Sequence, residues 1–360
     1  MSNKGRVVVA MSGGVDSSVA AAVLKQQGYE VIGLMLRLWS EPGAEQSNRC
    51  CTPDSMAQAR RVAAILGIPF YAVDAQETFY SQVVQSFIDG YAQGFTPNPC
   101  LVCNRQIRWT FLLDRALALD AQYLATGHYA RINRDDQDLY QLRKAIDHSK
   151  DQSYVLHVLD QERLSHALFP LGDYTKSRVR ELARHYDLPV AERADSQDLC
   201  FLGDGDYRKF LIRNAPRVSH FGPITTKDGQ LLGEHQGLAF YTIGQRKGLG
   251  LQSSEPMYVI EKDLQRNTLV VGSRQDLGNS ELIASNVNWI SGKKPPAPFR
   301  AQVKIRYKAS EAWANVFPLD DRQVQVLFDE QVRDITPGQA AVIYNGEVCL
   351  GGGIIQSSTG

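Results

Sequence analysis

The chain has 360 residues, 43% of them hydrophobic, a length that suggests roughly two or three domains. Lys plus Arg and Asp plus Glu balance at 39 each, so the net charge is zero and any nucleic-acid partner has to be held by a local basic patch. No apolar run approaches the ~20 residues of a membrane span and the first six residues hold no hydrophobic signal region, so the expected location is cytoplasmic, with no membrane partner.

In chain order, Val7-Val8-Val9-Ala10 reads as a buried parallel strand. Met11-Ser12-Gly13-Gly14-Val15-Asp16-Ser17-Ser18 follows it directly, and Val19 to Gln27 has helical character. Strand, glycine loop and helix start form an anion cradle, because glycines admit the ligand close to the backbone and unpaired amides face negative charge. The loop lacks the lysine and the spacing of a Walker A sequence. It resembles the loop of the N-type ATP pyrophosphatases, which hold the pyrophosphate of ATP while a carbonyl or carboxylate oxygen is adenylated. That resemblance makes Ala10, Met11, Ser12, Gly13, Gly14, Val15, Asp16 and Ser17 the expected nucleotide-binding segment.

Glu30 to Trp39 and Phe70 to Asp74 are further strand-like runs, separated by helical periodicity over Asp54 to Leu66 with Gly67 as a stop. Tyr123 to Thr126 reads as another strand, ending at Gly127-His128. Such alternation predicts a doubly wound parallel α/β sheet, with ligands at the carboxyl ends of its strands. A helix is expected over Lys176 to Tyr186. Beyond about residue 215, turn signals such as Asp228-Gly229 and Gly248-Leu249-Gly250 separate short alternating segments, as in small β domains. The predicted division is a catalytic domain over 1–210, a central small β domain over 211–280 and a C-terminal β-barrel-like domain over 281–360, with Lys293 to Pro298 as a loop or linker. Arg300 to Lys308 alternates, placing Arg300, Gln302, Lys304, Arg306 and Lys308 on one face of a strand and Ala301, Val303, Ile305 and Tyr307 on the other.

Six cysteines in a reducing compartment do not suggest a structural disulfide framework. Cys100 and Cys103 lie in Asn98-Pro99-Cys100-Leu101-Val102-Cys103-Asn104, where Asn104 is expected to cap a helix from Arg105 and the helix start favours thiolate. Cys200 lies in Ser196-Gln197-Asp198-Leu199-Cys200-Phe201. Cys349 reads as a small buried strand residue, and Cys50-Cys51 as part of a polar loop.

The combination resembles the tRNA-specific 2-thiouridylases over nearly the whole chain. The matching segments are SGGVDS (12–17), NPCLVCN (98–104), ATGHYA (125–130), KDQSY (150–154), SQDLCF (196–201), FYTIGQRKGLG (240–250) and RY (306–307). The resemblance implies an adenine nucleotide alpha hydrolase-like catalytic domain, the two β domains embracing tRNA. It implies ATP-dependent adenylation of the C2 oxygen of wobble uridine 34, then sulfur transfer from a cysteine persulfide to give 2-thiouridine, AMP and pyrophosphate. Cys103 would be the nucleophile and Cys200 the persulfide carrier, with a disulfide between them after turnover. Leu36 and Gly127 would contact the nucleotide, and Asp16 would hold Mg²⁺. Asn98, Pro99 and Cys100 would face the target base; His128, Lys150, Asp151, Gln152, Arg306, Tyr307 and Gln339 would contact tRNA. Partners implied are tRNAs with Lys, Glu or Gln anticodons and a persulfide sulfur-relay donor protein. Many family members have aspartate where this chain has Cys100, so three thiolates (Cys100, Cys103, Cys200) leave a [4Fe–4S] cluster open as a second sulfur route. GMP synthetase, argininosuccinate synthetase and lysidine synthetase share the loop but need no such cysteines. An RNA-binding module without chemistry would bind ATP and release no pyrophosphate.

Overall fold

The computed structural model describes residues 4–43, 52–194, 199–203, 205–253 and 255–357. Cys50, Cys51 and the 196–198 part of the SQDLCF segment lie outside the described residues. Strands β1 (Arg6–Ala10), β2 (Glu30–Arg37), β3 (Phe70–Asp74) and β4 (Tyr123–Ala125) are followed by a hairpin, β5 (Ala130–Arg134) and β6 (Tyr140–Lys144), and then by β7 (Ala167–Leu168). A parallel sheet of order β3-β2-β1-β4-β7 results. Val7, Val8 and Val9 have no exposed surface, since helices cover both faces of the sheet. The chain leaves β1 toward β2 and returns on the other side as β4. The carboxyl ends of β1 and β4 therefore flank the topological switch point, where such sheets bind ligands.

Helix α1 (Val15–Gln26) starts at the glycine loop, four residues before the expected helical segment, and its alanines are buried. Helix α2 (Pro53–Leu66) begins at Thr52, whose side chain accepts from the Ser55 amide at 3.0 Å. It ends at Gly67 in the left-handed region, φ 58°, where glycine carries no steric penalty. The helix Lys176–His185 packs its Val179 and Ala183 into the same core as α1.

The helix carrying Cys100 and Cys103 starts earlier than the sequence predicts. Asn98, not Asn104, is its cap: the Asn98 side chain accepts from the Cys100 amide at 3.1 Å, and Pro99 is the first helical residue. Proline is pre-organised for that position and holds Asn98 extended, which explains the shift. Asn104 is buried inside the helix, and Cys103 opens a π-helical stretch, Cys103–Leu112.

After Phe201 the chain builds a second sheet from β8 (Gly222–Thr225), β9 (Leu231–His235), β10 (Tyr258–Asp263) and β11 (Thr268–Gly272), in the order β10-β11-β8-β9. Six further strands follow: β12 (Asn279–Trp289), β13 (Phe299–Lys304), β14 (Ala312–Pro318), β15 (Val324–Val332), β16 (Ala340–Asn345) and β17 (Val348–Ser357). They run in the order β12-β15-β14-β13-β16-β17, and a β12–β17 pairing closes them into a barrel. At Gly351 a Cβ would sit 2.1 Å from the Asn288 carbonyl oxygen, so glycine is required where the barrel closes. The hairpin β5–β6 extends the barrel sheet, with Leu142 opposite Cys349. Cys349 is buried and burial pushes its thiol pKa up, as expected of a small core residue.

The basic ridge departs from its prediction. Strand β13 ends at Lys304, and Tyr307 lies in the turn beyond it, 38% exposed rather than on the apolar face. Ala301, Val303 and Ile305 do face the barrel core.

Candidate functional site

A cavity of about 690 Å³ lies where the switch point of the parallel sheet meets the barrel. Its first wall is the end of β1 and the start of α1, through Ala10, Ser12, Gly14, Val15, Asp16 and Ser17. The loop is closed by short internal bonds. Ser17 Oγ accepts from the Ser12 amide at 3.1 Å, and the Ser18 hydroxyl donates to the Gly14 carbonyl at 2.8 Å. Met11 turns into the core and Gly13 sits behind the cavity, φ 73°, where a Cβ would lie 2.3 Å from the Ser55 carbonyl oxygen. Gly127 presses on the start of α1: a Cβ there would be 2.8 Å from the Ser17 nitrogen.

Asp16 is held on both oxygens. Lys176 Nζ lies 2.8 Å from each, and the Tyr129 hydroxyl donates to one at 2.8 Å. Arg193 donates to the Gly13 carbonyl at 3.1 Å and to Ser55 Oγ at 3.0 Å, bracing the loop from below. Lys176 and Arg193 were not singled out from sequence. A signal existed for Lys176, because a lysine in the first turn of a helix opposes the helix dipole unless an acid lies close by. Arg193 carried none.

The second wall is formed by Gly127, His128 and the 148–152 loop. His128 is buried with its Nδ1 2.7 Å from Thr126 Oγ1; burial and the neighbouring Arg108 hold its pKa well below the usual value, so the ring is neutral near pH 7. Asp151 is buried and committed to the loop, accepting from the Ala145 amide at 3.0 Å and from the Ser153 hydroxyl at 2.7 Å. The side chain of Gln152 accepts from the Tyr129 amide at 3.0 Å. Lys150 completes this wall.

The barrel supplies the third wall through Lys304, Tyr307 and Lys308. Burial pushes the Tyr307 hydroxyl pKa up, with the charges of Asp151 and Cys100 adding to it. Arg306 points away and pairs with Asp334 at 3.0 Å. Cations from five separate parts of the chain (Arg108, Lys150, Lys176, Arg193, and Lys304 with Lys308) outnumber Asp16 and Asp151 around the cavity, so it favours a polyanion.

The remaining candidates lie outside its lining. Leu36 is near the carboxyl end of β2. Asn98 and Pro99 start the cysteine helix, and Gln339 holds the approach to it, donating to the Thr96 carbonyl at 2.7 Å. Cys100 is exposed, whereas Cys103 and Cys200 are both half-buried against one hydrophobic core. The segment bearing Cys200 is anchored there by Phe201, whose ring packs on Phe79, Phe87 and Phe210. The four described cysteines are reduced thiols. Among the described residues no three His, Cys, Asp or Glu side chains are gathered to hold a metal ion. Cys100, Cys103 and Cys200 therefore do not form a three-thiolate cluster site in this conformation.

Residues 5–204 match the family described as a tRNA methyl transferase HUP domain, 208–273 a tRNA methyl transferase PRC-barrel domain and 279–355 an aminomethyltransferase β-barrel domain. The chain is 48% identical to tRNA-specific 2-thiouridylase MnmA 1 of Caldanaerobacter subterraneus subsp. tengcongensis, covering 98% of each chain. It is 48% identical to tRNA-specific 2-thiouridylase MnmA of Moorella thermoacetica over 97% of this chain and 99% of the relative. With that of Halothermothrix orenii it shares 44% identity, over 98% and 99% respectively. Among the described residues no helix is long and apolar enough to cross a membrane.

Proposed function

The chain belongs to the tRNA-specific 2-thiouridylase family, and on that premise we propose that it adenylates the C2 oxygen of uridine 34 with ATP and replaces it with sulfur from Cys200. The observation that carries this reading is a shared cavity: the nucleotide loop lines one side and barrel residues Lys304, Tyr307 and Lys308 the other. That arrangement supports a reading in which ATP and an RNA nucleotide meet in one place. On this reading residues 1–210 form the catalytic domain, 211–280 a central β domain and 281–360 the tRNA-binding barrel.

The C2 carbonyl of uracil is flanked by two nitrogens and is a poor electrophile. Attack of its oxygen on the α-phosphorus of ATP forms an O–P bond and expels pyrophosphate into the loop of Ser12, Gly13, Gly14 and Ser17. Amides at the start of α1, together with Lys176, stabilise the departing charge. Asp16 is the carboxylate that would hold Mg²⁺ with the nucleotide, which supplies further neutralisation of the polyphosphate. Asp16 would hold that ion in place of its present partner Lys176, whose ammonium would then be available to the phosphates. Leu36 and Gly127 would contact the nucleotide, and a neutral His128 can offer a hydrogen bond without adding charge.

The terminal sulfur of a Cys200 persulfide then attacks C2, and AMP leaves with the former C2 oxygen. Cys103 thiolate attacks the Cys200 sulfur of the adduct, releasing 2-thiouridine and leaving a Cys103–Cys200 disulfide that an external dithiol reduces by two electrons. In the other order Cys103 attacks the persulfide first, delivers sulfide at the base and forms the same disulfide. Asn98, Pro99 and Cys100 lie at the helix start that would face the base, Lys150, Gln152, Tyr307 and Gln339 would border its route, and Arg306 would reach the tRNA only on leaving Asp334. Substrates are tRNAs with wobble uridine of the Lys, Glu and Gln type, and a persulfide relay protein recharges Cys200.

The test is incubation of the protein with tRNA, Mg²⁺-ATP and a persulfide donor, followed by nucleoside mass spectrometry. The reading predicts 2-thiouridine at the wobble position with one AMP and one pyrophosphate per sulfur. ADP and phosphate, or unmodified uridine, would overturn it.

A further inference from the structure

The outer face of β13 and β14 carries an aromatic and basic row that the proposed chemistry does not use. Strand alternation puts Arg300, Gln302 and Lys304 outward, and Trp313 stands directly across from Gln302. Trp313 is 50% exposed, whereas Trp109 is fully buried and Trp289 nearly so. A lone exposed aromatic needs no explanation, but this one has a built surrounding. The Arg300 guanidinium lies 5.2 Å from the indole centre and is itself paired with Asp329, which fixes the ring against that side. Two residues beyond Gln302 on β13, Lys304 reaches the cavity and lies 6.0 Å from the Tyr307 ring.

The same barrel face is treated differently on its other flank. At β16, the Tyr344 ring is fully buried under the α/β domain, with the Lys144 ammonium 4.6 Å from its centre, and Lys144 is paired with Glu311 at 2.7 Å. The face is thus covered at β16 and open at β13 and β14, so the open strip runs from Trp313 past Lys304 into the cavity mouth.

We propose that this strip is a track for single-stranded RNA, on which Trp313 stacks against an unpaired base neighbouring the nucleotide delivered to the cavity. The proposal rests on the functional reading above and names how its RNA is held. An aromatic platform beside a cationic row suits an unpaired strand, because every base has a stacking face and every phosphate a charge. Lys304 and Lys308 supply the phosphate contacts, and Arg300, committed to Asp329, orients the indole. Continuity with the cavity argues for the strand adjoining the target rather than a distant helix.

Titration of the full-length protein with an anticodon stem-loop RNA tests this, read by intrinsic fluorescence and by affinity at several salt concentrations. Stacking should quench the exposed indole emission, and Trp313→Phe should lose that quenching while keeping most of the affinity. Trp313→Ala should bind roughly tenfold or more weakly, with ATP affinity unchanged, and Lys304→Gln should lower the salt slope by about one contact. Full affinity in Trp313→Ala, with quenching surviving in Trp313→Phe, would overturn the track and leave the functional reading standing. Failure of the unmutated protein to bind the RNA would overturn both.

Discussion

Lys176 places its ammonium 2.8 Å from both carboxylate oxygens of Asp16, across 160 residues of sequence. The pair sits at the mouth of the nucleotide loop, so a triphosphate entering the cavity meets a cation that an acid already holds in place. Replacing Lys176 by Met leaves the Asp16 charge facing the phosphates. AMP formation should fall about 100-fold, the scale of losing one transition-state donor, while affinity for anticodon RNA is kept. Lys176→Arg should recover part of the rate. Pre-steady-state release of pyrophosphate measures both.

The barrel holds the strand that leads to the cysteines. Gln339 donates to the Thr96 carbonyl at 2.7 Å, and the Thr96 amide donates to the Pro337 carbonyl at 2.8 Å. Removing the amide removes roughly 1 kcal/mol from the placement of 96–100. Gln339→Ala should therefore lower thiolation about fivefold at saturating ATP. Gln339→Glu, which cannot donate to a carbonyl, should match it. A Gln339→Ala enzyme with weakened ATP binding instead would contradict this division of labour.

Cys103 and Cys200 pack on one hydrophobic core. Cys103→Ser and Cys200→Ser should each abolish thiolation and leave ATP binding intact, measured by nucleoside analysis and calorimetry. Cys100→Ser should retain activity if the sulfur travels by persulfide. Loss of activity in Cys100→Ser, together with activation of the unmutated protein by anaerobic iron and sulfide, would move Cys100 into the centre.

Acid should loosen the seam between the α/β domain and the barrel. His157 is buried there, its backbone carbonyl accepting from Asn288 of β12 at 2.6 Å, and burial pushes its imidazole down to about 4 from 6.5. The folded state thus favours the neutral ring. The stability this supplies is fully present above pH 6.5 and is lost as pH falls toward 4, on the order of 3 kcal/mol in all. Denaturation midpoints between those pH values should fall on acidification, and His157→Gln should flatten that slope.

Local signals made much of the architecture legible. The valines of β1, the alternation after it, and the Thr52 and Gly67 boundaries of α2 are encoded within a few residues of where they act. Barrel closure is different, since β12 meets β17 across the length of the domain and β6 joins it from another. The same distance hid Lys176 from Asp16 and Arg193 from Gly13. At Tyr307 periodicity misled, because alternation continues in the sequence past the point where β13 ends. At the cysteine helix the expected cap, Asn104, was displaced to Asn98 because Pro99 starts the helix. The loop and the cysteine motifs were visible as patterns; the cationic cavity that joins them to the barrel was visible only in three dimensions.

The most direct test follows the uridine oxygen. A single turnover with tRNA carrying ¹⁸O at C2 of the wobble uridine, Mg²⁺-ATP and the persulfide-loaded protein is analysed by mass spectrometry of the AMP released. Adenylation of the C2 oxygen predicts AMP carrying one heavy oxygen for each 2-thiouridine formed. Unlabelled AMP accompanying full thiolation would contradict it.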